Sequence, residues 1–396
     1  MRYKMEWNRD SSMLRYAKSM RETLESRAAK CDEDRKVPDE TIADFRSAGL
    51  FRMLQPTRHG GLECHPNEFF DVVTELAAAC PSSAWVFGVI AVHAFQLALF
   101  PDEAQDEVWG KDRDTLVCSS YMPVGKVTPV PGGYRLSGRW GFSSGSDHCT
   151  WVLLGAFVPS EIEGRAPEML TFLLPQSQYR LVDDWHVSGL RGTGSKSVVV
   201  DDAFVPAHRT HRMGDGFKCK SPGNLVNTAP LYRLPFGQIF TRTVATPSIG
   251  MLMGAIDAFI ATNRGRRGRA DGRLAEEEPS SQEAVARAML AVREVRALLH
   301  HDWDVMMQKV EREEPLTLEE RIAFRHHAGG VTDRMTRALD ELFMETGGTA
   351  LWKDQKINRF FQDIHAARAH HANNPRKTGR TLGRLLLGHA TDEVFL

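Results

Sequence analysis

The sequence predicts a mainly α protein with a β domain at its centre. Three observations carry this. Residues 11–115 and 236–390 show apolar residues at helical spacing, whereas residues 116–212 break into short β-prone runs separated by Gly, Pro and Asp. The expected domains are a helical unit over 1–115, a β unit over 116–212, a Pro/Gly/Lys-rich linker over 213–235 and a helical bundle over 236–396.

In the first unit, RYAKSMRETLESRAAKCDEDRK mixes periodic apolar residues with charge. VPDETIADFRSAGLF places Pro38 near a helix start and Gly49 near its end. PTRHGGLECHP is a connection, and PNEFFDVVTELAAAC resumes the helical pattern. AWVFGVIAVHAFQLALF, residues 84–100, is almost wholly apolar but short for a bilayer span, and it carries His93 and Gln96. It reads as a buried helix whose polar residues need a partner or a pocket. In the centre, TLVCSSYMP, KVTPVPGGYRLSGRWGF, TWVLLGAFVP, MLTFLLPQSQYRLVDDW and KSVVVDDAFVP read as strands. The last unit holds long amphipathic segments, among them SSQEAVARAMLAVREVRALLHHDWDVMMQKVE.

Composition narrows the function classes. The chain has 396 residues, 42% hydrophobic and 26% charged, with a formal net charge of −1. That balance offers no field for nucleic acid or an anionic membrane. The start, MRYKMEWNRD, is too charged for the core of a signal peptide. Six scattered cysteines form no C-x-x-C pair, so neither a zinc site nor a disulfide framework is expected, and a cytoplasmic location is the simplest reading. GLRGTG, residues 189–194, lies between β-runs in the wrong order for a dinucleotide fingerprint, so no NAD(P)H site is expected.

Four motifs together resemble the acyl-CoA dehydrogenase superfamily over roughly residues 15–390. They are SYMPVG (120–125), GRWGFSSG (138–145), DDWHVSGLRGTGSKSVVVDDAFVP (183–206) and ETGGTALWKDQKINRFFQDIHAARAHH (345–371). The resemblance implies an N-terminal helical domain, a central β-barrel and a C-terminal four-helix bundle, normally assembled as a homotetramer. Departures choose the branch. Asp363 is kept, but His370-His371-Ala372-Asn373 stands where dehydrogenases of the main branch carry Tyr-Glu-Gly-Thr with its proton-abstracting Glu. Phe-Ser-Ser-Gly likewise replaces Ile-Thr-Asn-Gly. These changes are similar to the oxygenase components of two-component flavin monooxygenases, the group of the 4-hydroxyphenylacetate, secosteroid phenol and dibenzothiophene oxygenases.

That resemblance implies reduced FMN or FAD, supplied by a separate NAD(P)H:flavin reductase, together with O₂ and a small aromatic substrate. A C4a-hydroperoxyflavin would then hydroxylate a phenol. By alignment, Ser143 is expected to bond flavin N5, with Trp140 and Phe142 as an apolar wall and Ser144 and Ser120 alongside. His370, or else His371, is expected to take the phenolic proton, and His93 and Ser120 to face the substrate. Arg264, within NRGRRGRADGR, matches an arginine offered to a neighbouring subunit's flavin. The plainer alternatives are a serine-rich turn, two solvated histidines among 15, a core histidine and a solvated basic loop. No metal is expected, because His365, His370 and His371 lack ligand spacing. The competing functions are a heterocycle or sulfur monooxygenase, an acyl-CoA dehydrogenase and a non-enzymatic flavin-binding scaffold.

Overall fold

Ser11 opens the first helix, its hydroxyl accepting the Leu14 N–H to cap α1 (Ser12–Ser19). The structure, a computed structural model, describes residues 11–159, 166–267, 272–391 and 393. The charged start considered above and residues 268–271 of the arginine-rich stretch lie outside them. After α1 come α2 (Arg21–Asp34), α3 (Asp39–Ser47), α4 (Pro66–Ala79), α5 (Pro81–Leu97) and α6 (Asp102–Trp109). Pro66 and Pro81 sit at first-turn positions, where a missing N–H costs nothing. Every residue of α5 is buried, which explains why the run is almost wholly apolar.

The central region pairs as two four-stranded sheets. One is ordered β1 (Val117–Ser120), β4 (Trp151–Val158), β5 (Glu168–Pro175), β8 (Thr210–Arg212); the other is β2 (Lys126–Val130), β3 (Gly133–Ser143), β7 (Lys196–Pro206), β6 (Arg180–Val182). β1 runs parallel to β4 and the remaining pairs are antiparallel. Trp140 ties the sheets together: it is fully buried on β3 and its indole N–H donates to Gly155 O on β4 at 2.8 Å.

The segment after β8 is packed rather than loose. It contains α7 (Met213–Lys218), and the buried Tyr232 donates its hydroxyl to Leu54 O at 3.1 Å. Helices α8 (Phe236–Ala245), α9 (Pro247–Asn263), α10 (Pro279–Glu311), α11 (Leu318–Thr346), α12 (Lys356–Arg368) and α13 (Pro375–Leu386) form the C-terminal bundle. The run 236–263 is long and apolar enough to cross a membrane, but it is largely buried and forms the bundle's central helices. Gly250 and Gly254 let α9 approach α4: a Cβ on Gly250 would lie 2.1 Å from Thr74 O, and one on Gly254 2.5 Å from Ala78 O. This crossing locks the two helical regions together and leaves a hollow between α5, the bundle and the sheets.

Candidate active site

That hollow is a cavity of about 650 Å³, within the usual range for small-molecule sites. Helix α5 supplies one wall. Trp85, Val89 and His93 recur every four residues on its buried face and all line the cavity.

The β-side wall is set by an irregularity in β3. Trp140 pairs with Val198 and Ser143 with Lys196, so β3 holds one residue more than β7 over this interval. Phe142 takes up the bulge at φ 62°, a rare conformation for a non-glycine residue. Ser120 braces it by donating its hydroxyl to Gly141 O at 2.7 Å. The bulge throws Phe142 outward, 66% exposed, onto the cavity wall, where it meets Trp185 edge-on with ring centres 5.8 Å apart.

The bulge also decides which serine reaches the cavity. Ser143 stays in phase with Trp140, fully buried, off the lining, with no partner for its hydroxyl among the described residues. Ser144 lines the cavity instead. The alignment-based assignments of Ser143 as the flavin partner and Trp140 as ring wall are therefore corrected: alternation along β3 turns both side chains into the core. Phe142, Ser144 and Ser120 do line the cavity.

A chain of hydroxyls with one polarity runs along this wall. Thr193 donates its single proton to Leu190 O at 2.8 Å. Ser195, 2.7 Å from Thr193 Oγ1, must then donate to it, and Ser144, 2.7 Å from Ser195 Oγ, must donate to Ser195. Ser144 in turn accepts the Trp85 indole N–H at 3.2 Å. With its proton committed, Ser144 has only a lone pair to offer the cavity. The chain ends on a fixed anchor: Leu190, held at φ 51°, donates its N–H to the buried carboxyl of Asp363 at 2.5 Å, and its carbonyl also accepts the Trp185 indole N–H at 3.2 Å. Burial and the nearby Asp32 push the Asp363 carboxyl well above its ordinary range.

The histidines fall into distinct settings. His93 is buried; its Nδ1 lies 2.7 Å from Val117 O, which can only accept, so Nε2 accepts the Ser119 hydroxyl at 2.8 Å. Burial pushes its pKa down to about 4. His370 caps a short turn: its Nδ1 accepts the Ala372 N–H at 3.1 Å, so the neutral ring carries its proton on Nε2. Its ring lies 5.9 Å from Trp85 and 6.3 Å from Phe240, and burial, then His371 and Arg325, bring its pKa down to about 4. His370 at neutral pH is thus a hydrogen-bond donor, and the expectation of a base is corrected: its one free lone pair is already used by the backbone. His371 is exposed on the cavity rim, with Nε2 3.4 Å from Lys377 Nζ, and partial burial and that ammonium lower its pKa.

Arg264 is exposed at the end of α9 and does not line this chain's cavity. Sequence reasoning passed over Trp85, Ser119, Trp185, Thr193 and Ser195. Thr193 and Ser195 lie inside the 183–206 motif, and Ser119 is adjacent to a chosen residue, so both signals were within reach. Trp185 lies in that same motif, whereas Trp85 carried no signal, since an isolated tryptophan is more often core.

The residues fit a flavin. Ser144 would offer a lone pair to a ring N–H, and Phe142, Trp185 and Trp85 line the same cavity as apolar surface for an aromatic ring. Comparison with known proteins agrees. Residues 13–112 match the family "Acyl-CoA dehydrogenase, N-terminal domain" and residues 242–375 "Acyl-CoA dehydrogenase, C-terminal domain". The chain is 39% identical to the flavin-dependent monooxygenase oxygenase subunit HsaA of Rhodococcus jostii, covering 90% of this chain and 93% of that one. It is 34% identical to the FADH(2)-dependent resorcinol hydroxylase oxygenase component of a Rhizobium species, over 92% and 91%. The crystal structure of 3-HSA hydroxylase from Rhodococcus sp. RHA1 superposes with a TM-score of 0.93 at 34% identity, over 98% and 99% of the two chains. The chain therefore belongs to the flavin-dependent monooxygenases of the acyl-CoA dehydrogenase fold, as an oxygenase component of a two-component aromatic hydroxylase.

Proposed function

We propose that this oxygenase hydroxylates a phenol, using reduced flavin delivered by a separate reductase. The observation that carries this is the one-way hydroxyl chain ending at Ser144, linked through Trp85 to a donor histidine at 370. The flavin, when bound, supplies the activation of O₂ that no side chain can provide. With reduced flavin bound, Ser144 Oγ would offer its lone pair to a ring N–H and help hold that proton. Phe142 and Trp185, which meet edge-on in the cavity wall, would shield the ring from water. His370 Nε2–H would donate to the phenolic oxygen and orient the substrate ring. Ser119, its proton committed to His93, offers a lone pair to a substrate hydroxyl. A dehydrogenase reaction lacks its carboxylate base at positions 370–371, where two histidines stand. The relatives' names support a flavin but do not choose between FMN and FAD. By resemblance we further propose a cytoplasmic homotetramer, in which Arg264 serves a neighbouring subunit's flavin.

The test supplies chemically reduced FMN or FAD, O₂ and a panel of phenols, read by a mass gain of one oxygen. Turnover of an acyl-CoA with an electron acceptor, without oxygenation of any phenol, would overturn the reading.

A further inference from the structure

Helix α5 is buried throughout, yet it carries two large polar side chains, His93 and Gln96. Three residues apart, they share a face of the helix. His93 serves the site through Ser119. Gln96 is fully buried and stands behind the cavity wall rather than in it.

The partners of Gln96 fix the orientation of its amide. A thioether sulfur can only accept, so the atom 3.4 Å from Met213 Sδ is the nitrogen, which also donates to Thr171 Oγ1 at 3.3 Å. The oxygen is thereby turned toward Tyr121, whose hydroxyl donates to it. Burial pushes that hydroxyl well above its ordinary range, so its proton stays in this bond at physiological pH. Tyr121 and Met213 both line the cavity, so one amide behind the wall holds two residues of the wall.

The strand gives this contact its direction. Ser119 and Tyr121 are two apart at the exit of β1 and turn the same way, onto α5, while Ser120 between them turns to Gly141 O. His93 and Gln96 thus clip the exit of β1 to α5 at two points. The clip sets the Tyr121 ring, whose centre lies 6.0 Å from His93 and 5.2 Å from Phe240, edge-on to both. Phe240 in turn lies 6.3 Å from His370. Tyr121 and Phe240 therefore span the wall from His93 to His370.

We propose that Gln96 is a positioning residue for the phenol: by holding the Tyr121 hydroxyl from behind, it fixes the aromatic wall between His93 and His370 against which the substrate ring lies. This rests on the phenol hydroxylase reading above, and it gives Gln96 no contact with substrate or flavin.

The experiment titrates the whole protein calorimetrically with 4-propylphenol and, separately, with FMN, and measures hydroxylation of the phenol with reduced FMN. It compares the parent, Gln96→Leu, Tyr121→Phe and the double variant. Leu fills the space of Gln without its polar atoms, and Phe keeps the Tyr ring without its hydroxyl. Each single variant should weaken 4-propylphenol about fivefold, the loss of one ordinary hydrogen bond, with FMN affinity unchanged. The double variant should be no weaker than either single one, because both remove the same contact. Gln96→Glu, whose buried acid stays protonated and keeps an acceptor and a donor, should bind 4-propylphenol as the parent does. Should Gln96→Leu not fold, Gln96→Met takes its place. Effects that multiply to about twenty-fivefold in the double variant overturn the role, as do equal losses for phenol and FMN or an unchanged phenol affinity in either single variant. Oxygenation of 4-propylphenol by the parent alongside such failures would leave the hydroxylase reading standing. The expected binding pattern without oxygenation would sink that reading and leave the role of Gln96 in binding. A parent that binds no phenol overturns both.

Discussion

Trp85 and Ser144, 59 residues apart, meet where the indole N–H donates to the serine hydroxyl at 3.2 Å. This contact ends the hydroxyl chain and places the same indole 5.9 Å from His370. Trp85→Phe keeps the ring contact but removes the donor. Ser144→Ala removes the lone pair facing the cavity. Both variants should raise the fraction of O₂ released as H₂O₂, by about tenfold if one hydrogen bond of ordinary strength is lost. Ser143→Ala should not. Peroxide measured against hydroxylated product decides, and an effect of Ser143→Ala larger than that of Ser144→Ala would restore the alignment-based assignment.

His370 is predicted to act by donating. Replacement by Gln, which retains an N–H, should preserve more hydroxylation than replacement by Ala. Because the pKa is brought down to about 4, the ring is neutral throughout the physiological range. The rate should show no inflection near the ordinary histidine pKa of about 6.5 from this group and should fall only as pH drops toward 4. An inflection at the ordinary histidine value that His370→Ala abolishes would point to a base.

Buried histidines should govern acid stability. His93 and His148 are pushed down to about 4 and His211 to about 3, mainly by burial. In the unfolded chain each takes up a proton below about pH 6.5. Between about pH 6.5 and 4 the unfolded state binds more protons, so stability is full above that window and falls through it as pH drops. Each group removes up to about 3 kcal/mol over that window. Urea midpoints at about pH 7.5 and about pH 5 should differ clearly, and His211→Gln should shrink the difference.

Asp363 should be replaceable by Asn but not by Ala. Burial and the nearby Asp32 push its carboxyl upward, and one of its oxygens accepts the Leu190 N–H. Asn preserves an acceptor oxygen of the same shape. Ala leaves a buried N–H unpaired, costing about 1–3 kcal/mol, and frees the 190–195 turn. Thermal melts and flavin titration should show Asp363→Ala weakened in both, with Asp363→Asn close to the parent.

Much was legible in the chain itself. Periodicity placed the helices of both ends, and turn residues placed the strands. The run of residues 183–206 pointed to the superfamily, and His370-His371, where a glutamate was expected, pointed to the oxygenase branch. These are local or compositional signals, and each survives without knowing what packs on what.

The identity of the working side chains was not local. Ser143 and Ser144 are equivalent in sequence, and only a bulge set by pairing with β7 turns one inward and the other to the cavity. The polarity of the hydroxyl chain depends on Leu190 O, a carbonyl oriented by Asp363 from 173 residues away. The tautomer of His370 depends on a backbone N–H two residues on. Side-chain type was written in the sequence. The direction of each proton and lone pair was decided by tertiary packing, because hydrogen bonds depend on orientation and residue identity does not specify it.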